Sequence, residues 1–139
     1  MESKSGFQFD NFIIKRSLFE IKEEVETSDL SVAFKPSGKI DYTKCLFHLG
    51  LSVKISNPNE NFNIEIDSLG FFKFDGIKKD ELSSFLFHNA PALLFPYLRA
   101  YISSLTTLSG IQPIVLPTLN LSNLKSELEK NLVEQGLTE

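Results

Sequence analysis

One change of hydrophobic period, from two residues to about 3.6, falls near Gly76 and Lys78 and divides the 139-residue chain into a strand half and a helix half. Side chains alternate between two faces of a strand and return every three or four positions on a helix, so the change fixes the order of the elements. The clearest strand runs from Phe62 to Phe74. Phe62, Ile64, Ile66, Phe72 and Phe74 take even positions there, while Asn63, Glu65, Asp67 and Lys73 take odd ones. Leu69 and Phe71 break the polar face, and Gly70 between them is expected to mark a bulge or a close approach of another chain.

Upstream, Cys45, Phe47, Leu49, Leu51, Val53 and Ile55 alternate with more polar residues, and Asn57-Pro58-Asn59-Glu60 supplies a turn before the Phe62 strand. The two runs form a long antiparallel hairpin. Leu30, Val32 and Phe34 make a shorter run that is expected to end at the turn residues Pro36-Ser37-Gly38. Near the start, Phe7 and Phe9 lie on odd positions, Phe12 and Ile14 on even ones, and Phe19 and Ile21 on odd ones again. Two phase slips of this kind predict a bulged first strand.

Beyond Asp80, a candidate N-cap, Leu82, Phe85, Leu86 and Asn89 follow helical spacing up to Pro91, where the pattern predicts a break. Leu94, Tyr97, Leu98, Tyr101, Ile102, Leu105 and Leu108 then form the stripe of a main helix, with Gly110 as its stop. A loop of unusual composition follows, Ile111-Gln112-Pro113-Ile114-Val115-Leu116-Pro117. Connections are normally polar, so its aliphatic residues are candidates for contact with a partner. A last helix is expected from Asn120 onward, carrying Leu121, Leu124, Leu128 and Val133. The whole reads as one α+β domain over residues 1–139, with strands over about 7–75 and helices over about 80–135.

Composition narrows the function. Thirteen Phe and no Trp are more flat apolar side chains than one small core needs, which leaves some for an interface or a groove. A net charge of −4, with fourteen scattered Lys and Arg, disfavours nucleic acid. No apolar run has the length of a signal peptide or a spanning helix, so a cytoplasmic protein without membrane insertion is expected. Cys45 is the lone cysteine, and His48 and His88 lack metal-ligand spacing, so no metal and no cofactor is expected. Phosphate loops, nucleophile elbows and HExxH are absent from the sequence, and no catalytic residue is assigned.

The stretch Asn89-Ala90-Pro91-Ala92-Leu93-Leu94-Phe95-Pro96-Tyr97-Leu98-Arg99 resembles the signature of the SecB protein-export chaperones, a proline followed after two positions by Leu-Phe-Pro-Tyr, one residue and Arg. The resemblance extends over about residues 82 to 124. Phe19-Glu20 and Phe62 to Phe72, with Glu65 and Gly70, are similar to the first and last strands of the family. It implies a four-stranded antiparallel sheet followed by two or three helices on one face, and assembly as a dimer or a dimer of dimers. Ile64, Ile66, Tyr97 and Tyr101 are then the candidates for oligomer contacts. The implied activity is ATP-independent holding of unfolded preproteins for Sec-dependent export. The client groove would take Leu30, Val32 and Phe34 together with Ile111, Ile114, Val115 and Leu116. Glu20 and Glu65 match acidic positions that dock the SecA motor, although Arg16 stands where another acid belongs.

A holdase must accept many sequences, so apolar area with little demand on polar geometry is what such a groove requires. Two other readings compete. Some SecB-like proteins guard a single client such as an antitoxin, and an adaptor of that kind needs one tight site. Hotdog-type thioesterases also pair an antiparallel sheet with a long helix, but they insert the helix within the run of strands.

Overall fold

The computed structural model describes residues 6–22, 29–117 and 120–136. The crossover residues 23–28 and the last three residues of the C-terminal tail lie outside the described residues, as does the side chain of Leu121. Four long strands, β1 (Gly6–Ile21), β2 (Ser31–Asp41), β3 (Leu46–Ser56) and β4 (Phe62–Asp75), form an antiparallel sheet, and a short β5 (Leu132–Gln135) joins it. The order is β1-β4-β3-β2-β5, with β5 parallel to β2. The helical part comprises α1 (Lys79–Ser84), a π-helical turn (Phe85–Asn89), α2 (Ala90–Leu108) and α3 (Leu121–Lys130).

The parity of β1 changes where the sequence predicts. Its register against β4 shifts between Phe9 and Asn11 and again between Ile14 and Arg16, which keeps Phe7, Phe9, Phe12, Ile14 and Phe19 packed towards the core. The β3–β4 hairpin closes through Asn57, whose side-chain carbonyl accepts the backbone N–H groups of Asn61 (2.9 Å) and Phe62 (3.3 Å). One face of the sheet is dry: Phe47, Leu49, Leu51 and Ile55 of β3 and Phe62, Ile64, Ile66 and Phe72 of β4 are fully buried. Each such side chain contributes about 1.5–3 kcal/mol of hydrophobic stabilisation. Leu82, Leu86, Leu94, Leu98 and Ile102 cover them from the helical layer.

Four expectations need correction. Pro36-Ser37-Gly38 is not a turn, because β2 pairs with β3 without a break from Ser31 to Asp41. Pro36 is tolerated because its missing N–H faces away from β3, on the side where Asn131 Nδ2 donates to the Pro36 carbonyl (3.1 Å). Gly38 serves a close approach, since a Cβ there would lie 2.9 Å from Phe47 Cε1 and 3.1 Å from Leu132 Cδ1. The reversal falls instead at Asp41–Cys45, where Asp41 Oδ1 accepts the N–H groups of Thr43 (2.9 Å) and Lys44 (3.0 Å).

Val133 is the second correction. It lies in the added strand β5 rather than in the last helix, and it is exposed. Third, Pro91 does not break the helix. Backbone from α1 through α2 stays helical because the wider π turn, closed by Ala90 N–H on the Phe85 carbonyl, precedes the proline and makes room for its ring. Fourth, Asp80 is not the N-cap but sits in the first turn of α1, where its charge complements the helix dipole. Gly110, at φ +89°, ends α2 as expected. Ile111 N–H bonds to Thr106 O and Gly110 N–H to Thr107 O, both at 3.2 Å, which satisfies two terminal carbonyls.

Candidate functional site

The apolar positions named from the sequence separate into two groups, one at the start of β2 and one on the loop after α2. Leu30, Val32 and Phe34 are half-buried and pack on the margin of the core. Phe34 meets Phe95 of α2 edge to face, with ring centroids 6.0 Å apart. It also lines, with Asn120, Asn123, Leu124 and Glu127, an open cavity of about 230 Å³ between β2 and α3. Phe34 therefore has an apolar neighbour on one side and free volume on the other. The sequence marks Phe95 only as part of the family signature and Leu124 only as an apolar position of the last helix, and it is the fold that brings them to Phe34.

On the loop, residues 113–117 alternate between outside and inside like a strand. Pro113, Val115 and Pro117 are exposed, Ile114 is half-buried and Leu116 is buried. Val115 is 58% accessible and Leu116 only 1%, so two neighbouring aliphatic residues have opposite environments. Ile111 is half-buried against the core. Side chains of α2 hold this segment. Ile114 N–H donates to Thr106 Oγ1 (2.9 Å), and Ser103 Oγ donates to the Ile114 carbonyl (2.9 Å). The sequence carries a signal for Thr106, which continues Leu94, Leu98 and Ile102 at a spacing of four. A hydroxyl in that phase must find partners in the interior.

Among the oligomer candidates, Ile64 and Ile66 are fully buried beneath the chain's own helices and have no surface to offer a second copy. Tyr97 is 52% accessible, over Phe9 (centroids 5.2 Å) and Phe12 (5.7 Å) of β1. Tyr101 donates to Ser17 Oγ at 2.9 Å. Both tyrosines lie where α2 leaves the inner face of β1 partly covered.

The acidic candidates lie together on the opposite face of the sheet, since Leu18 pairs with Glu65 and Glu20 with Asn63. Each has a basic neighbour. Arg16 Nη1 is 3.1 Å from Glu65, and Lys22 Nζ is 3.5 Å from Glu20. Lys54 stands opposite Glu65 on β3. On the same face, His48 sits edge-on to Phe71 with centroids 4.8 Å apart. Burial first, and then the charge of Lys39, push its pKa below the usual imidazole value. No three His, Cys, Asp or Glu side chains among the described residues form a group that could hold a metal ion. Among them, too, no helix is long and apolar enough to cross a membrane.

A meander of β2, β3 and β4 with β1 added beside β4, followed by one long helix, defines an α+β fold. It superposes with a TM-score of 0.66, over 82% of this chain and 88% of the other, on a SecB-like chaperone of Mycobacterium tuberculosis solved with a peptide from an antitoxin, at 19% sequence identity. The family model for preprotein translocase subunit SecB matches residues 17–131, and the chain belongs to the SecB family. Protein-export protein SecB of Ruegeria pomeroyi is 36% identical over 108 residues, covering 73% of this chain and 66% of that protein. SecB of Anaplasma phagocytophilum is 27% identical over 123 residues, covering 84% and 76%. An uncharacterized protein of Methanocaldococcus jannaschii is 27% identical over 137 residues, covering 91% and 87%. As a member of this family the chain is a chaperone and not an enzyme, which removes the thioesterase alternative.

Proposed function

We propose that this chain acts as an ATP-independent holdase in the cytoplasm, keeping extended, non-native polypeptides, including preproteins, from aggregating. The observation that carries the reading is the exposure of Val115 on a loop whose backbone is fixed to α2. A surface aliphatic held in place binds apolar segments without demanding one sequence. Leu30, Val32, Phe34, Ile111 and Ile114 would extend the contact area, with Phe95 behind Phe34 and Leu116 supporting the loop from inside. Several weak contacts along one client chain add up to useful affinity.

The working unit in this reading is a homo-oligomer. Strand β1 has no partner strand on its second side among the described residues, and Tyr97 lies exposed above it. A second copy would cover both. Client transfer to SecA through Glu20 and Glu65 has weaker support, because both acids have basic neighbours. That same compensation favours a second reading, a chaperone dedicated to one client, and the Mycobacterium tuberculosis protein of this fold is known with an antitoxin peptide.

The test is suppression of aggregation. The purified protein, without nucleotide, is mixed with a slowly folding unfolded protein while light scattering reports aggregation and complex mass. Suppression near one oligomer per client, with the folded client ignored, is the expected result. Failure with several unrelated clients would reject the general holdase and leave the dedicated-client reading.

A further inference from the structure

We infer that Thr106 and Ser103 are positioning residues that set the phase of the apolar loop, deciding which of its side chains a client meets. The inference rests on the holdase reading for its functional part only.

Thr106 is fully buried near the end of α2, a position that helix geometry alone would give to an apolar residue. Its single hydroxyl proton is shared within the helix between the carbonyl of Ile102 (2.9 Å) and that of Ser103 (3.1 Å). Its lone pairs accept the N–H of Ile114 at 2.9 Å. One turn earlier, Ser103 Oγ donates to the carbonyl of the same residue, also at 2.9 Å. Both polar groups of one loop residue are thus satisfied by two side chains of one helix, as a neighbouring strand would satisfy them.

An extended segment fixed at one residue has its facing fixed on both sides, because successive side chains point in opposite directions. Anchoring at Ile114 therefore directs Ile114 and Leu116 inward and leaves Pro113, Val115 and Pro117 outside. A slip of one residue would exchange the two sets and move Leu116 into water. The apolar sequence of the loop does not choose between these phases, since Ile114, Val115 and Leu116 are all aliphatic. The two hydroxyls make the choice. They act on backbone atoms, so the presenting side chains remain free to vary without loss of the anchor.

The experiment compares the full chain with Thr106→Val, which keeps the shape and removes the hydroxyl, Thr106→Ser, which keeps the hydroxyl, and Ser103→Ala. Two quantities are measured: hydrogen exchange of the Ile114 amide and affinity for an unfolded client protein. Thr106→Val should remove protection at Ile114 and weaken client binding by about tenfold, on the scale of one or two hydrogen bonds. Thr106→Ser should retain both properties. Ser103→Ala should weaken binding less and, losing one half-buried hydrogen bond, should still fold, which keeps the test decisive if Thr106→Val fails to fold. Wild-type exchange and affinity in both Thr106→Val and Ser103→Ala would overturn the inference, as would equal losses in Thr106→Ser and Thr106→Val. If the wild type holds no client, the holdase reading fails, while exchange at Ile114 still decides whether the anchor exists.

Discussion

Arg16 Nη1 lies 3.1 Å from Glu65 Oε1, joining β1 to β4 across the face of the sheet that the helices leave uncovered. The side chains keep 50% and 38% of their accessibility, so the pair adds at most about 1 kcal/mol to stability, and less in salt. Its larger effect is on the charge of the surface. Where Glu20 and Glu65 resemble acids that attract a motor protein, Arg16 and Lys22 offset them. Replacing Arg16 with Gln should leave the melting temperature nearly unchanged while strengthening binding to SecA, most clearly at low ionic strength. Titration of SecA against the wild type and the variant at two salt concentrations checks this. Equal affinity in all four conditions would remove this face from any account of docking.

Tyr42 ties the β2–β3 turn to the C-terminal strand. Its hydroxyl donates to Glu134 Oε1 at 2.7 Å, its backbone N–H donates to the Gln135 carbonyl, and Lys79 Nζ lies 5.0 Å from its ring centroid. Burial, followed by the hydrogen bond and the charge of Glu134, pushes its pKa from 10.0 to about 12. The native state thus keeps the phenol proton after the unfolded chain has released it. The linked stabilisation is full below the unfolded value of 10.0 and disappears as pH rises through about 12. Denaturant unfolding across that window should show the advantage of the wild type over Tyr42→Phe shrinking with pH. A constant difference would mean that the phenol does not titrate as the geometry requires.

How much of this was readable beforehand depends on whether a signal was local. The bulges of β1 were legible because a change of parity, from Phe9 to Phe12 and from Ile14 to Phe19, has no other simple cause in a strand. Pro36 and Gly38 misled because their turn propensity is local, whereas their reasons for being there are tertiary: Asn131 bonds Pro36 and Phe47 crowds Gly38. Strand β5 left no trace because four residues paired in parallel at an edge, mostly exposed, need no alternation. For the site, composition marked the loop as a whole. Its facing depends on Thr106 and Ser103, which act from another element.

Gly70 lies where the helical layer comes close to β4. A Cβ at this position would lie 3.1 Å from Leu94 Cδ1 and 3.1 Å from Phe72 Cε1. The close approach is therefore that of the chain's own helix α2. Gly70→Ala asks Leu94 and Phe72, both fully buried, to give by a few tenths of an ångström, and is expected to destabilise the fold by about 1 kcal/mol through overpacking. Urea denaturation gives the value. Unchanged stability would mean that α2 has room to shift away from the sheet.

Val115 and Leu116 allow function and stability to be separated within one dipeptide. Leu116 is 1% accessible, so Leu116→Ser removes a buried side chain and places a hydroxyl in the core, with an expected cost of about 2–5 kcal/mol. Val115 is 58% accessible, and Val115→Ser should leave stability within about 0.5 kcal/mol of the wild type. Affinity for unfolded polypeptide should fall in the Val115 variant all the same, because in the proposed holdase the exposed aliphatic would be the surface offered to the client. Calorimetry and client-binding titrations on both variants test the two halves independently. If Val115→Ser binds clients as tightly as the wild type, the outer face of the loop is not the contact, and the β2 side at Val32 and Phe34 becomes the surface to probe.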